Sequence, residues 1–325
     1  MLFRQNAGLF AGKRANFGFN PCDRNEHLAM QFGASDSFDP PFRLDTPLSG
    51  VTPVLFNSPH SGSIYPQALL DAARLDRLAL RRSEDVDVDR LFEGVIAQGG
   101  SLMRVEFPRA YVDVNREPYE LDPKMFGGRL PPFANTRSLR VASGLGTIPR
   151  TVGEGLDIYH TPPTLDEALE RIEALYKPYH RALARALVSA QRRHGLAVLV
   201  DCHSMPSAAV ARSEALHCDM VIGDRFGTSA DPSIPDCIET SLRAMGYHVT
   251  RNRPYAGGFI TEHYGNPIAG VHAVQIEINR SLYLDERRIE RLHGFDGLRE
   301  DLTRMATELI AFVESQWQPY GLAAE

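Results

Sequence analysis

Two histidines stand where strands predicted from apolar segments come to an end. His60 follows the apolar segment at 53–57, and His203 follows another at 196–202. A single histidine in such a loop is more often bonded to nearby backbone than bound to a ligand. Two histidines at the carboxyl ends of strands in one α/β sheet can converge, and neutral imidazole is a preferred ligand of zinc. The pair therefore predicts a zinc site.

A hydrolytic zinc site uses three protein ligands and leaves the fourth position for water. The acidic segment at 83–90 lies directly before a predicted helix and carries the carboxylates from which we expect the third ligand. Acidic residues at such a position also stabilise the amino end of a helix without any metal. We predict that Asp85 is the ligand and keep Glu84 as the alternative.

The strand predicted at 271–279 places Glu277 on a polar face within an otherwise apolar segment. Burial of a carboxylate raises its pKa, which suits it to accept a proton from an attacking water and to pass that proton to a leaving amine. Glu277 is therefore the predicted general base. The alternative is a structural glutamate that pairs with Arg280 or another base.

One further acid and one further histidine have two interpretations each. Asp201 lies two residues before His203 and so on the same side of the strand, where it could orient the imidazole or serve as a buried ion-pairing acid. His180 lies inside a long predicted helix, and we expect it to be satisfied there by neighbouring groups rather than to take part in chemistry.

Arginines follow several of the predicted strands, and a guanidinium binds a carboxylate through two parallel hydrogen bonds. Any single arginine is more often solvated or ion-paired, but several at strand ends would suit a substrate with one or more carboxylates. We rank Arg116, with its neighbour Asn115, above Arg253 and then Arg280 as substrate-binding residues. The paired glycines at 257–258 indicate either a mobile loop over the substrate or an ordinary tight turn.

Short apolar runs alternate with amphipathic segments from Val51 onward, which predicts an α/β fold with a mixed, mostly parallel central sheet flanked by helices. Residues 1–48 lack periodicity and are predicted to be a loose leader, so that 49–325 form a single catalytic domain. Strands are expected at 53–57, 101–107, 110–115, 196–202, 219–223, 247–250 and 271–279. Helices are expected at 67–81, 88–98, 165–193 with a kink before Pro178, 234–245 and 286–316, and a long surface excursion at 124–157 is expected to cover the site.

The composition limits the partners of the chain. The net charge of -6 gives no electrostatic reason to expect a nucleic acid or an acidic membrane surface, so a small molecule is the expected partner. No segment approaches the roughly 18 consecutive apolar residues of a membrane span, and no secretion signal is read at the amino end. The four cysteines form no CxxC pair, which favours a reducing, cytoplasmic location.

The order of short motifs along most of the chain resembles that of the N-formylglutamate amidohydrolases. The motifs are NSPHSG at 57–62, DxxxDRL at 85–91, DxNR at 113–116, DxHSM at 201–205, GGFIT at 257–261 and QIEINR at 275–280. No one of them is specific, but their number and order make chance an unsatisfactory explanation.

The resemblance implies a zinc-carboxypeptidase-like (phosphorylase/hydrolase-like) fold and hydrolysis of N-formyl-L-glutamate to formate and L-glutamate, the last step of one route of histidine degradation. Carried over to this chain, it implies Zn²⁺ held by His60, Asp85 and His203, with Glu277 as the general base and Arg116 as a carboxylate anchor. Two other functions stay open at this point, namely a deacylase or small peptidase acting on another N-acyl acidic amino acid, and a protein that binds acidic metabolites without hydrolysing them.

Overall fold

A seven-stranded sheet forms the centre of the molecule. The computed structural model describes residues 38–48, 50–211 and 218–316. Their strands are β1 (Phe42–Asp45), β2 (Val54–Ser58), β3 (Ser101–Val105), β4 (Thr151–Val152), β5 (Leu156–Asp157), β6 (Ala197–Met205), β7 (Met220–Gly223), β8 (Val249–Arg251), β9 (Val271–Asn279), β10 (Leu284–Asp285) and β11 (Glu290–Arg291). The central sheet has the order β1-β3-β2-β6-β9-β7-β8, and β4-β5 and β10-β11 form two small separate pairs.

Most neighbouring strands of the central sheet run parallel. The four strands β3, β2, β6 and β9 are parallel to one another, and β7 is parallel to β8. The edge strand β1 is antiparallel to β3, and β7 is antiparallel to β9. The expectation of a mixed, mostly parallel sheet is confirmed.

Helices cover both faces of this sheet. They are α1 (Gln67–Ala72), α2 (Arg77–Arg81), α3 (Val88–Leu91), α4 (Leu139–Ala142), α5 (Leu165–Arg171), α6 (Lys177–His194), α7 (Ser207–Ala211), α8 (Ser233–Ala244), α9 (Phe259–Tyr264) and α10 (Phe295–Gln316). Short 3-10 turns lie at Glu93–Gln98, Gly153–Gly155, Pro267–Ala269 and Arg280–Leu282. Among the described residues, no helix is long and apolar enough to cross a membrane.

The alternation of side chains along the strands divides the core into two layers. Val198 and Val200 of β6 pack on one face with α3, α8 and α10, whereas Ala197 and Leu199 pack on the other face with α6 and α9. Because side chains two residues apart share a face, Asp201 and His203 continue the second of these rows. The polar end of that row is where the site lies.

Most strand predictions are confirmed within a few residues, but that at 110–115 is wrong. This segment is buried and mostly apolar, yet it makes turns: the backbone N–H of Tyr111 donates to Pro108, and that of Asp113 donates to Thr147 of the excursion. Conversely, β1 was missed. It lies within the predicted leader 1–48 and pairs with β3, while residues 1–37 of that leader lie outside the described residues.

The predicted helices lie at about the right positions in the chain, but several of them differ from the structure in length. The helix expected at 67–81 is two short helices, and the one expected at 286–316 begins only at Phe295, since β10 and β11 occupy the preceding segment. The helix expected at 165–193 is interrupted before Pro178, where the kink was predicted, by a π-helical turn at Ile172–Tyr176 between α5 and α6. Proline has no N–H to donate, so the regular ladder is interrupted one turn earlier.

Candidate active site

The register of two central strands places a histidine beside a glutamate. In the parallel pair β6–β9, His203 lies opposite Glu277, and Asp201 lies opposite Gln275. All four side chains therefore point to the same face of the sheet. His60 reaches this face from the turn two residues after the end of β2, and His203 lies inside β6, which runs three residues further than the sequence predicts.

Asp85 lies between the two imidazole rings. Its Oδ2 is 2.9 Å from Nδ1 of His203 and 3.3 Å from Nδ1 of His60, and one ligand atom from each of the three residues lies within 4.8 Å of the others. All three side chains are at least nine-tenths buried. The three residues that the sequence predicts as metal ligands thus meet at one point.

A second carboxylate lies behind each histidine. Nε2 of His60 is 2.8 Å from Oδ1 of Asp113, and Nε2 of His203 is 2.9 Å from Oδ2 of Asp201. When Nε2 of a neutral imidazole donates its hydrogen to this carboxylate, Nδ1 carries a lone pair toward Asp85. The geometry agrees with the orienting role that the sequence suggests for Asp201. The role of Asp113 was missed, although the DxNR motif that contains it was noted for its arginine.

The lone pairs of the histidine Nδ1 atoms and of Oδ2 of Asp85 face one another, and this arrangement requires a cation or a proton between them. Nδ1 of His60 is buried and has no hydrogen-bond partner among the described residues, although the carboxylate of Asp85 lies nearby. Burial alone would lower the pKa of His203, but the carboxylates of Asp201 and Asp85 raise it well above its usual value. Burial alone would raise the pKa of Asp85, but its hydrogen bonds to the two histidines hold it well below the usual range.

Glu277 is buried next to this group without a direct ion pair. One of its oxygens accepts a hydrogen bond of 2.8 Å from Nε2 of Gln275. Burial raises the pKa of Glu277 to about 7, with the charge on Asp85 adding to the effect and that on His203 opposing it. Among the described residues no cation lies within ion-pairing distance of its carboxylate, and Arg280 pairs with Asp85 instead. The structural alternative for Glu277 is therefore not supported.

Glu84 points away from the histidines. It accepts hydrogen bonds from the Tyr65 hydroxyl and from Nε of Arg81, and it is fully buried in that environment. It does not belong to the group of potential metal ligands. Of the two acids proposed from the sequence, the geometry selects Asp85.

These groups line a cavity of about 590 Å³. Six arginines face three carboxylates in its lining, so the cavity attracts anions. The arginines are Arg82, Arg109, Arg116, Arg140, Arg225 and Arg280, and the carboxylates are Asp85, Asp113 and Glu277. The excursion expected over the site contributes part of the wall, including Leu145, Pro149 and residues 151–153.

Two of the predicted substrate-binding arginines are held by the protein itself. Arg116 donates to the backbone of Leu145 and of Asn115 and pairs with Asp113 at 3.2 Å. Burial lowers its pKa to about 10, so it stays positively charged at neutral pH. Arg280 donates to Asp85, to the Ser204 hydroxyl and to a backbone carbonyl, and so fixes a predicted metal ligand.

Arg253, predicted to bind substrate, does not line the cavity. It is exposed, and only its neighbours from Pro254 onward line the wall. Asn115 does line the cavity: its Oδ1 accepts a hydrogen bond from the backbone N–H of Ile260, and its Nδ2 lies 3.2 Å from Nε2 of His203.

The segment with the paired glycines packs closely against the site. Gly258 donates its backbone N–H to Gln275, and a Cβ at this position would lie 2.5 Å from the side chain of Asn115, so only glycine fits. His180, expected to be a satisfied helix histidine, is confirmed as one, with Nδ1 2.8 Å from the Tyr264 hydroxyl and Nε2 2.9 Å from the backbone oxygen of Val114. Burial lowers its pKa to about 3, so its imidazole is neutral.

A buried histidine–carboxylate cluster beside a carboxylate of raised pKa, in an arginine-rich cavity, has the features of a hydrolase that acts on acidic molecules. The family model described as N-formylglutamate amidohydrolase matches residues 52–284, which is more than half of the chain. The chain therefore belongs to the N-formylglutamate amidohydrolase family. It is a hydrolase that acts on an amide C–N bond.

Individual relatives agree with this assignment. The chain is 28% identical over 241 residues to an N-formylglutamate deformylase of Pseudomonas aeruginosa, and the match covers 73% of this chain and 84% of the relative. It is 29% identical over 240 residues to an N-formylglutamate deformylase of Pseudomonas putida, with the same shares covered. The crystal structure of N-formylglutamate amidohydrolase from Ralstonia eutropha JMP134 is similar with a TM-score of 0.80 and 36% identity, over 85% of this chain and 99% of that one.

Proposed function

We propose that the chain hydrolyses N-formyl-L-glutamate to formate and L-glutamate and that zinc is its metal. The observation that carries this proposal is the convergence of two histidine Nδ1 atoms and one carboxylate oxygen beside Glu277, in a cavity whose lining is rich in arginine. The names of the relatives supply the substrate. The division into a single catalytic domain at 49–325 is part of this proposal, because the site draws its residues from segments between His60 and Glu277.

The donor set fits zinc. Two imidazole nitrogens and a carboxylate oxygen are three ligands of a hydrolytic zinc site. Oδ2 of Asp85 lies 3.3 Å from Nδ1 of His60 and 2.9 Å from Nδ1 of His203, so one ion could be held by all three residues. The unpartnered Nδ1 of His60 is a further indication that a cation belongs there.

When bound, zinc supplies a Lewis acid that polarises the acyl oxygen and lowers the pKa of the attacking water. Glu277 accepts the proton of that water, and its pKa of about 7 suits both this step and the later donation of the proton to the leaving amine. Gln275 holds one oxygen of Glu277 by a hydrogen bond and so fixes the orientation of the base.

The arginines nearest to the base bind and stabilise negative charge. Arg109 donates to Asp113 at 2.8 Å, and this carboxylate keeps the pKa of Arg109 raised although burial opposes it. It interacts electrostatically with Glu277 and is the cation in the lining best suited to stabilise the oxyanion that forms on the acyl oxygen. Arg116 and Asn115 are proposed to anchor the α-carboxylate, and the side chain of Arg280 supports Asp85.

The decisive experiment is release of formate from N-formyl-L-glutamate by the purified protein, with N-acetyl- and N-succinyl-L-glutamate as parallel substrates. Metal content is measured on the same sample. We expect formate release that a chelator abolishes and added zinc restores. Turnover that survives complete removal of metal would overturn the zinc proposal. Cleavage of the acetyl or succinyl compound alone would assign another acyl group, and binding of all three without turnover would indicate a metabolite-binding protein.

A further inference from the structure

The six arginines of the cavity differ in what already holds their side chains. Arg116 and Arg280 each donate to three protein acceptors, and Arg109 pairs with the buried Asp113. Arg225 differs from these three, because its carboxylate partner lies at the surface. That partner is Glu262 of α9, whose Oε2 is 2.8 Å from Nη2 of Arg225.

The pair between Arg225 and Glu262 is open to exchange. The side chain of Arg225 is 33% exposed, and that of Glu262 is 61% exposed. Ion pairs at this level of exposure contribute little, because water screens both charges. Among the described residues, the one hydrogen bond of Nη1 of Arg225 is a long contact of 3.4 Å to the backbone oxygen of Gly257. A ligand carboxylate can therefore share this guanidinium or take the place of Glu262.

The backbone at Arg225 is held in a conformation that side-chain-bearing residues rarely adopt. Arg225 and Phe226 have φ values of 54° and 57°, in the left-handed region. Asp224 and Asn252 hold this turn, since Asn252 donates to Asp224 at 2.7 Å and its Oδ1 accepts from the backbone N–H groups of Asp224 and Phe226. Strain of this kind persists only where surrounding contacts impose it, and it is concentrated at functional sites.

Arg225 lines the cavity on the opposite side of β9 from the arginines bonded to Asp113. It follows β7, which pairs with β9 so that Gly223 lies opposite Gln275, two residues from Glu277. His60, Asp113 and the arginines bonded to Asp113 follow β2 and β3, on the other side of β6. Two cationic positions thus lie on the two sides of the general base.

We infer that Arg225 binds the side-chain carboxylate of the substrate and makes the enzyme selective for glutamate over uncharged amino acids. The inference rests on the proposed function, because it takes the α-carboxylate to lie at the arginines beside Asp113. A molecule with two carboxylates then spans Glu277, with one carboxylate at each cationic position. Arg225 acts on specificity and takes no part in the proton transfers.

The test compares N-formyl-L-glutamate with N-formyl-L-glutamine, which replaces the side-chain carboxylate by a neutral group of the same shape. Arg225→Gln should lower the ratio of kcat/KM for the two substrates about 10- to 100-fold, which is the usual effect of losing a hydrogen bond to a charged group. The loss should lie mainly in KM for the glutamate compound. Arg225→Lys keeps the positive charge but loses the two parallel N–H groups of the guanidinium, so it should lower the ratio less.

Arg299→Gln is the matched control. Arg299 lies on α10 in an exposed ion pair of 3.1 Å with Asp296 and does not line the cavity, so the ratio should not change. An equal loss of activity on both substrates, or no loss on either, in folded Arg225→Gln would overturn the inference.

Two further measurements separate this inference from the proposed function. If the wild-type protein releases no formate from either compound, the proposed function fails. Calorimetric binding of L-glutamate and L-glutamine to wild type and to Arg225→Gln then still tests the arginine: selective weakening of glutamate binding supports its role, and equal affinities for wild type and variant refute it. Retention of the wild-type thermal midpoint by the variant excludes loss of folding as the cause.

Discussion

A chain of buried hydrogen bonds fixes the protonation of His203, and replacement of Asp201 by asparagine tests it. The Tyr179 hydroxyl donates to Oδ1 of Asn57, which leaves the Asn57 amide to donate to Oδ1 of Asp201. The second oxygen of Asp201 accepts from Nε2 of His203 at 2.9 Å. All four side chains are buried, so water cannot substitute for a lost partner.

In Asp201→Asn, the new carbonyl oxygen must face the Asn57 donor, so the new NH₂ group faces Nε2 of His203. Nε2 can then no longer carry its hydrogen, and the hydrogen moves to Nδ1, the atom that faces Asp85 and the proposed metal. Loss of a hydrogen bond to a charged group costs about 1.5–3 kcal/mol, and about 1.4 kcal/mol corresponds to a factor of ten. We therefore expect zinc to bind about 10- to 100-fold more weakly.

The affinity for zinc is measured by competition with a chromophoric chelator. The same chain of hydrogen bonds predicts that a second substitution restores part of this affinity. Without the Tyr179 hydroxyl, Asn57 can turn its amide over and accept from the new NH₂ group, so the new carbonyl faces His203 again. Tyr179→Phe combined with Asp201→Asn should therefore bind zinc more tightly than Asp201→Asn alone. The recovery is partial, because the turned amide lacks an acceptor.

Asp122→Asn serves as the control, since Asp122 is buried with Arg150 and lies outside the cavity lining. Wild-type affinity in Asp201→Asn, or a double variant that binds no better than Asp201→Asn, would refute the reasoning about the tautomer.

Four further predictions concern the metal group and the base. Glu277→Gln should retain zinc and lose about 10²- to 10⁴-fold in kcat, as measured by formate release, whereas an unchanged kcat would exclude its role as base. Glu277 acts as a base in its deprotonated form, and its pKa is about 7 in the protein alone. A bound cation would lower this pKa. The value of kcat/KM should therefore rise with pH and level off by about pH 7. Asp85→Asn should lower the zinc content and Glu84→Gln should not, and the reverse result would exchange their roles. The raised pKa of His203 keeps this residue protonated at neutral pH when no metal is bound. Zinc binding should therefore release this proton, and the affinity for zinc should increase with pH. Calorimetry in buffers of different ionisation enthalpy measures the proton release.

Hydrophobic pattern was sufficient for the central strands and insufficient at the periphery. Strands such as β6 and β9 are long, apolar and buried on both faces, so their sequence has few alternatives. The segment at 110–115 has the same composition but obtains its hydrogen bonds from turns and from the excursion, which no local pattern reveals. The edge strand β1 is short and largely exposed, so it lacks an apolar signal.

The residues of the candidate site also differ in how far the sequence could predict their positions. The sequence could predict that the two histidines and Glu277 lie close together, because strand ends and alternation determine where such side chains point. Which acid completes the group depends on the direction in which the segment at 83–90 enters the site, and sequence alone ranks Asp85 and Glu84 without deciding between them. Asp113 could have been found from its place in the DxNR motif after a buried segment. That Arg253 does not line the cavity depends on the fold of the turn itself, which the sequence pattern does not show.

The hydrogen bonds of Asp85 leave one of its two carboxylate oxygens facing the two histidines. Its Oδ1 accepts from Nη2 of Arg280 at 3.1 Å and from the Ser204 hydroxyl at 3.3 Å, while Oδ2 alone faces the two histidines. A carboxylate whose other oxygen is engaged in this way offers one ligand atom rather than two. If the proposed zinc binds here, the three residues would supply two nitrogens and one oxygen and would leave a fourth position for water or substrate. Arg280 is thus placed to limit Asp85 to one ligand oxygen, which differs from the substrate-binding role predicted from the sequence.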